Sequence, residues 1–267
     1  KANVHMRVCF FHMMKPYLIF LHGLLGTQAD WQKLTENLPH FHCMALDLPF
    51  HGSAKNHPVR DFDDSCAYVA QHIQSAVGNH PYFLVGYSLG GRIALYYVLC
   101  SQQDKYNLQG LIIEGGNLGL TNEADKKVRW ENDVFWAQRF HHETATSVLN
   151  DWYQQPVFAH LTEDQRKALI EKRQANCGDN IAKMLLATSL AKQPDLRPYV
   201  KNSPYPIEYF CGERDHKFKQ MALENQLNLT LIPQAGHNAH QENPTAFAEQ
   251  LNALLQDKFI AFSPRNG

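Results

Sequence analysis

The chain has 267 residues, of which 44% are hydrophobic, and its formal net charge at pH 7 is −1. A chain of this length can bury one large core. Because its charges almost cancel, the composition favours neither nucleic acid nor an anionic membrane as a partner. No apolar run approaches the about 20 residues that span a bilayer, so we expect no membrane insertion. The six cysteines form no CxxC pair, which predicts free thiols in the cytoplasm.

Short apolar runs alternate along the chain with stretches whose apolar residues have helical spacing. The predicted strands are Val8–His12, Tyr17–Leu21, His42–Leu46, Tyr82–Gly86, Leu111–Glu114, Ile207–Cys211 and Leu229–Ile232. The predicted helices between them are Ala29–Leu38, Phe62–Val77, Gly90–Ser101 and Pro244–Phe259. This alternation predicts an α/β fold with a mostly parallel central sheet flanked by helices on both faces.

The alternation stops between about residues 117 and 200, where helical segments follow one another without a convincing strand. One of them begins with Thr162 and Gln165 at the spacing of a capping box. We interpret residues 117–200 as an all-helical lid inserted between two strands. Because no repeat or low-complexity linker separates it, we expect residues 1–267 to form a single domain.

The stretch GYSLG, residues 86–90, matches the motif G-x-S-x-G. The motif alone is common, but here it follows an apolar strand and begins the predicted helix GGRIALYYVL. Such a strand–turn–helix context is typical of a nucleophile elbow, which holds its serine at the carboxyl edge of the sheet. We therefore predict an α/β-hydrolase fold in which Ser88 is the reactive residue.

A reactive serine hydroxyl needs a base, and the base needs a group that orients it. In this fold the carboxylate follows the serine in the chain, and the histidine comes last. Asp215 and His237 each follow a predicted strand at its carboxyl end, where ligands bind in open α/β sheets. Glu213 and His240 lie close to them in the chain and are the alternatives.

The loop after the strand Tyr17–Leu21 begins with His22 and Gly23. This loop can direct the backbone N–H of Leu24 to the same point as the N–H of Leu89, which predicts an oxyanion hole. We expect His22 to be structural and the polar residues of LDLPFHGSA to hold turns; these are Asp47, His51 and Ser53.

The chain contains 15 histidines, which raises the alternative of a metal site. His237 and His240 are three residues apart, and His141 and His142 are adjacent. None of them belongs to an HExxH motif or to a triad flanked by carboxylates. We therefore predict no metal and no cofactor.

Six motifs spread over residues 17–255 point to a particular family: GYSLGGR, EGGNLGL, DWYQQPVF, ATSLAKQPDL, CGERDHKF and AGHNAHQENP. With them, the chain closely resembles the 2-succinyl-6-hydroxy-2,4-cyclohexadiene-1-carboxylate synthases of menaquinone biosynthesis, which are lyases of this fold. The motifs around the triad of Ser88, Asp215 and His237 occur in many hydrolases. DWYQQPVF and GHNAHQENP are far more specific to this family. The resemblance implies that the substrate is a small-molecule tricarboxylate from which pyruvate is eliminated.

A substrate with three carboxylates requires cations around one pocket, and arginine binds carboxylates best. The substrate contacts that the resemblance implies are Tyr87, Arg92, Arg129, Trp152, Arg173 and Lys217. The residues around Arg129 match the family less well than the others. Phe50 stands where the family usually has glycine, so its ring either alters the loop near the pocket or packs outward. Asn117 and Leu118 replace a His-Pro that related sequences often carry.

The resemblance implies a lyase in which His237, oriented by Asp215, lets Ser88 take the α-proton of the substrate. The N–H groups of Leu24 and Leu89 then stabilise the enolate. The first alternative is a serine esterase or C–C hydrolase that uses the same three residues covalently. The second is a binding protein without catalysis, which an intact triad disfavours. We expect a monomer or a small homo-oligomer.

Overall fold

The computed structural model describes residues 15–261, which form a six-stranded sheet covered by helices. The strands are β1 (Tyr17–Leu21), β2 (His42–Leu46), β3 (Tyr82–Tyr87), β4 (Leu108–Glu114), β5 (Ile207–Gly212) and β6 (Asn228–Ile232). They lie in the order β2-β1-β3-β4-β5-β6, and all neighbours are parallel. Six predicted strands are thereby confirmed, whereas the predicted strand Val8–His12 lies outside the described residues.

The helices follow the strands in the alternation that the sequence predicts. They are α1 (Gln32–Thr35), α2 (Phe62–Val77), α3 (Leu89–Leu99), α4 (Glu123–His142), α5 (Ala145–Trp152), α6 (Glu163–Arg173), α7 (Gly178–Ala187), α8 (Arg197–Lys201), α9 (His216–Glu224), α10 (Ala239–Glu242) and α11 (Pro244–Ala261). Short 3-10 helices occur at Gln28–Trp31, Gly52–Ala54 and Pro156–Phe158. The predicted helix Ala29–Leu38 is thus a 3-10 turn followed by a single α-helical turn. The α-helical turn ends at Thr35, three residues before the predicted end at Leu38.

The central strands are buried on both faces. In β3, Leu84 packs into a core cluster with residues of α2 and α3. Its neighbours Phe83 and Val85 belong to a second cluster, which includes Phe247 and Leu251 of α11. Successive residues of a strand point to opposite faces, so a strand between two helical layers is apolar throughout. This explains why the strands appear in the sequence as continuous apolar runs.

Only helices are described between β4 and β5, in residues 115–206, which we call the helical insertion. A third core cluster joins residues of α4, α5 and α7 to Leu25 in the loop after β1, so the insertion packs near the carboxyl edge of the sheet. The capping box of Thr162 and Gln165 is confirmed, with distances of 2.9 and 3.3 Å. A single domain with a lid stays a prediction. No helix within residues 15–261 combines the length and the apolar character that a membrane span requires.

Phe50 departs from the family pattern, and its backbone shows why glycine is usual there. Its φ angle is 64°, in the left-handed region where a side chain costs about 1–2 kcal/mol. The ring is buried in the core cluster of α2 and α3, so of the two alternatives the outward-packed ring is wrong. Burial of an aromatic side chain contributes about 1.5–3 kcal/mol, which offsets the backbone strain.

Candidate active site

Ser88 lies on a sharp turn between β3 and α3, with φ 50° and ψ −106°. Its N–H donates to the carbonyl of Glu114 at 2.8 Å, and its carbonyl accepts the N–H of Arg92 at 3.0 Å. A Cβ on Gly90 would overlap the carbonyl oxygen of Leu21, so only glycine fits beside the turn. The strained backbone is therefore held by β4 and α3, as in a nucleophile elbow.

Asp215 and His237 form a buried pair. Nδ1 of His237 donates to Oδ2 of Asp215 at 2.7 Å, and the two side chains are 5% and 4% exposed. The other carboxylate oxygen accepts the N–H of Phe218 at 3.2 Å, because Asp215 caps α9. The Phe218 ring stacks on the imidazole at 4.9 Å. Within the described residues, neither Nε2 of His237 nor Oγ of Ser88 has a hydrogen-bond partner, so both remain available to a substrate.

The two alternative residues have other partners. Glu213 is exposed and accepts the N–H of Gln234 at 3.2 Å. His240 is fully buried, donates from Nδ1 to Glu114 at 2.7 Å and stacks on Trp31 at 3.8 Å. Neither is hydrogen-bonded to the aspartate–histidine pair. In the part of the chain that the structure describes, no group of three or more His, Cys, Asp or Glu residues could hold a metal ion.

The loop after β1 lies against the serine turn. Gly23 is so close that a Cβ there would be 2.7 Å from the ring of Tyr87 and 3.5 Å from Cβ of Ser88. Leu24 and Leu89 line the same cavity as Ser88. Among residues 15–261, their backbone N–H groups have no hydrogen-bond acceptor. Unpaired N–H groups beside a reactive serine are suited to stabilise negative charge on a substrate oxygen.

Two buried histidines shape this loop. Nε2 of His22 accepts the N–H of Leu48 at 2.9 Å, while Nδ1 donates to the carbonyl of Gly23 at 2.7 Å. Nε2 of His51 accepts the N–H of Leu25 at 3.2 Å. Burial lowers the pKa of His22 to about 4 and that of His51 to about 3. Both rings are therefore neutral, and the expected structural role of His22 is confirmed.

Because His22 and His51 are buried as neutral rings, we expect acid to destabilise the fold. In the unfolded chain both bind a proton below about pH 6.5, whereas in the folded chain they stay neutral until about pH 4 and 3. The unfolded chain thus binds more protons, and stability is lost as the pH falls from 6.5 to 4. We expect His51→Gln to reduce the slope of unfolding free energy against pH by up to about 1.4 kcal/mol per unit.

Urea unfolding at pH 7, 6 and 5 measures this slope. His40→Gln is the matched control, because His40 is exposed and its replacement leaves the buried rings in place. The His51 variant is expected to differ from the parent protein, and the control to follow it. Equal slopes in all three proteins would contradict the assignment of His51 as a neutral buried ring.

A cavity of about 110 Å³ lies over Ser88. Six of the predicted site residues line it together with the serine: Leu24, Leu89, Arg92, Arg129, Trp152 and Lys217. They come from the loop after β1, from α3, from the helical insertion and from α9. The cavity therefore forms where the insertion covers the carboxyl edge of the sheet, which is the usual ligand site of α/β folds.

Arg92 is a buried cation without a carboxylate partner. Its guanidinium donates to the carbonyl of Thr188 at 2.9 Å and lies 5.7 Å from the ring centroid of Phe62. In the described residues it forms no ion pair, although the residue is only 8% exposed. Burial and the charge of Arg129 lower the pKa of Arg92 to about 9, so it stays protonated at neutral pH. An unpaired buried cation is costly unless it meets an anion.

Two further cations line the same cavity. Nε of Arg129 lies 2.8 Å from Asp133, whose other oxygen accepts the hydroxyl of Ser189 at 2.7 Å. Lys217 is in the first turn of α9, with Nζ 5.5 Å from the ring centroid of Phe218. Removal from water and the charge of Arg129 lower the pKa of Lys217. Among the described residues, Asp133 is the only carboxylate in an ion pair with any of these three cations, so the cavity is suited to an anionic ligand.

Comparison with known proteins decides the family. The α/β-hydrolase fold family matches residues 16–244. The chain is 46% identical over 241 residues to the 2-succinyl-6-hydroxy-2,4-cyclohexadiene-1-carboxylate synthase of Serratia proteamaculans, covering 90% of this chain and 93% of that one. The chain belongs to this synthase family.

Other proteins similar to this chain support the same family. A Haemophilus influenzae relative is 61% identical over 240 residues, which cover 90% of this chain and 97% of that protein. The solved structure of MenH from S. aureus superposes with a TM-score of 0.83 at 26% identity, over 91% of this chain and 94% of that one. An esterase from Thermogutta terrifontis superposes with a TM-score of 0.74 at 19% identity, over 91% and 90%, and shows the fold alone.

Arg173 and Tyr87 do not line the cavity over Ser88. Arg173 is buried and pairs with Asp30 through two contacts of 2.7 and 2.9 Å. Burial alone would raise the pKa of Asp30, but Arg173 and Lys172 lower it to about 2. The ring of Tyr87 lies under the site, 5.3 Å from the ring of His237. Substrate contacts by Arg173 and Tyr87 stay predictions.

Three residues of this region were not predicted from the sequence: Glu114, His160 and Glu242. Glu114 pairs with His240, and Glu242 lies 3.0 Å from His160 of the insertion. A carboxylate at the end of a buried strand, as in LIIEGG, is a signal that could have revealed Glu114. No local pattern joins His160 to Glu242, because 82 residues separate them.

Proposed function

We propose that the protein eliminates pyruvate from 2-succinyl-5-enolpyruvyl-6-hydroxy-3-cyclohexene-1-carboxylate and forms 2-succinyl-6-hydroxy-2,4-cyclohexadiene-1-carboxylate. The names of its relatives give this product, and the lyase reaction that forms it belongs to menaquinone biosynthesis. The observation that carries the proposal is the cavity that Arg92, Arg129 and Lys217 line together with Ser88. A substrate with three carboxylates complements this charge, whereas a neutral ester does not.

The first step is removal of the proton next to the succinyl ketone. Asp215 orients His237 with Nδ1–H as donor, which leaves Nε2 free to accept the hydroxyl proton of Ser88. The serine oxygen then takes the α-proton of the substrate, so the proton ends on the imidazole. Within residues 15–261 the serine hydroxyl and Nε2 of His237 have no hydrogen-bond partner, so their hydrogen bond forms when substrate is bound, as catalytic contacts commonly do.

The electron pair of the broken C–H bond forms an enolate, whose oxygen accepts the N–H groups of Leu24 and Leu89. The enolate then collapses, and the bond between the ring carbon and the enolpyruvyl oxygen breaks with its electron pair on the oxygen. The leaving enolate of pyruvate takes one proton on carbon and becomes pyruvate, and the imidazolium of His237 gives up the proton that it received, which restores the neutral base. No bond between the serine and the substrate forms. Arg92, Arg129 and Lys217 hold carboxylates and so keep the acidic C–H against the base.

The cysteines support a location in the cytoplasm. The structure describes five of them, and each is a free thiol: Cys43, Cys66, Cys100, Cys177 and Cys211. Proteins of oxidising compartments tend to use such residues in disulfides.

The experiment that tests the proposed function follows pyruvate by coupling to lactate dehydrogenase. We expect pyruvate from the purified protein and the enolpyruvyl substrate, and little hydrolysis of simple aryl esters. Added pyruvate controls for the coupling enzyme. Rapid ester turnover without pyruvate release would contradict the lyase and favour the covalent serine hydrolase.

A further inference from the structure

A carboxylate outside the triad holds the backbone on both sides of His237. Oε2 of Glu242 accepts the N–H of Gly236 at 2.7 Å, and Oε1 accepts the N–H of Asn238 at 3.1 Å. These two residues are the immediate neighbours of the histidine in the chain. The side chain of Glu242, from α10, therefore fixes the path of the backbone on both sides of His237.

The same carboxylate binds the helical insertion. Nε2 of His160, which follows the 3-10 helix Pro156–Phe158, donates to Oε1 of Glu242 at 3.0 Å. Gly236 provides the room for this contact, since a Cβ there would overlap the imidazole of His160. The ring of Phe158 also approaches His237, at 6.2 Å between centroids. The insertion thus contacts the histidine loop through the imidazole of His160 and the ring of Phe158, and Lys172 of α6 adds a hydrogen bond of 3.3 Å to Gln241 of α10.

The carboxylate of Glu242 is ionised, and this charge strengthens its hydrogen bonds from the three donors. The side chains of Glu242 and His160 are each 13% exposed. Burial would raise the pKa of Glu242, but the hydrogen bonds from His160, Gly236 and Asn238 outweigh it and lower the pKa below its ordinary value. Glu242 is therefore ionised at neutral pH, and an ionised carboxylate is the strongest acceptor for such donors.

We propose that Glu242 is a positioning residue for proton transfer and that, through His160, it couples docking of the insertion to alignment of His237. This inference rests on the proposed function, because it takes His237 as the base. A displacement of about 1 Å in a catalytic group costs up to about 100-fold in rate. Arg92 and Lys217 lie on α3 and α9, and Arg129 lies on α4 of the insertion, outside residues 156–161, so loss of the contact changes kcat more than KM.

The test compares three variants and one control variant with the parent protein. We expect Glu242→Ala to lower kcat for pyruvate release by about 10- to 100-fold, with KM changed by less than about twofold. His160→Leu removes one donor and is expected to lower kcat less, whereas His160→Gln keeps an N–H donor and restores most of the rate. Glu213→Gln is the matched control, because Glu213 also accepts a backbone N–H, from Gln234, but has no contact with the insertion.

Hydrogen–deuterium exchange of residues 156–161 gives a readout that does not depend on catalysis. We expect faster exchange in Glu242→Ala and His160→Leu, and parental exchange in Glu213→Gln. If Glu242→Ala does not fold, Glu242→Gln and His160→Leu decide the question. All rates are expressed per folded enzyme, so a loss of folded protein alone does not imitate the effect.

Parental kcat per folded enzyme in both Glu242→Ala and His160→Leu would overturn the positioning role. Unchanged exchange of residues 156–161 would overturn the coupling to the insertion. If the parent protein releases no pyruvate, the proposed function fails, whereas the exchange measurement still tests the contact between Glu242 and His160.

Discussion

Replacing Ser88 by alanine is expected to lower kcat for pyruvate release by about 1000-fold, within the range for loss of a general base, while KM changes little. The alanine removes the oxygen that receives the α-proton, but it leaves His237, Asp215 and the cations in place. Substrate therefore still binds, and only the proton transfer loses its carrier. Steady-state kinetics by the coupled pyruvate assay separates the two constants.

Ser75→Ala is the matched control for this experiment, because the Ser75 hydroxyl is exposed on α2 and bonds only to the carbonyl of Gln71. Its kcat is expected to equal that of the parent protein. A near-parental kcat for Ser88→Ala would refute the proton-carrier role. A covalent adduct on Ser88, trapped with the true substrate and seen by mass spectrometry, would favour the hydrolase alternative.

Arg92→Met is expected to weaken substrate binding and stabilise the fold at the same time. Loss of a charge-assisted hydrogen bond to a carboxylate costs about 1.5–3 kcal/mol, which raises KM by roughly 10- to 100-fold. Free of ligand, however, Arg92 is a buried cation without an ion pair among the described residues. Methionine fills the same space without that cost, so we expect the free energy of unfolding to rise by about 1–2 kcal/mol.

Arg129→Met provides the contrast. It removes a cation from the same cavity, but it leaves Asp133 buried with only the hydroxyl of Ser189. We therefore expect a higher KM together with a loss of about 3 kcal/mol of stability. Urea unfolding and substrate kinetics on both variants measure the two effects. A destabilised Arg92→Met with parental KM would show that Arg92 is structural and does not bind substrate.

The features that depend on short-range patterns could be predicted. Buried strands are apolar throughout, so β1 to β6 were visible in the sequence as runs of five or so residues. The elbow around Ser88 combines a strand, small residues and a helix within one short segment, and it too is readable locally. The strand ends before Asp215 and His237 placed both residues at the same edge, because parallel strands share it.

Local sequence patterns could not show which of two similarly placed residues has the functional role. Glu213 and Asp215 follow the same strand, and only the folded chain shows that Asp215 caps α9 and reaches the imidazole. Arg92 and Arg173 both matched family positions, yet Arg173 pairs with Asp30, 143 residues away in the chain. Whether a cation is free for a ligand depends on such distant carboxylates.

The sequence by itself determined the parallel sheet, the serine elbow and the class of residues at the carboxyl edge, because each follows from periodicity or from steric demands within a few neighbours. Only the tertiary structure decided which histidine meets which carboxylate, which cations stay unpaired and how the insertion docks on Glu242. Those choices depend on contacts between residues far apart in the chain, where burial makes an unpaired charge costly and a paired one specific.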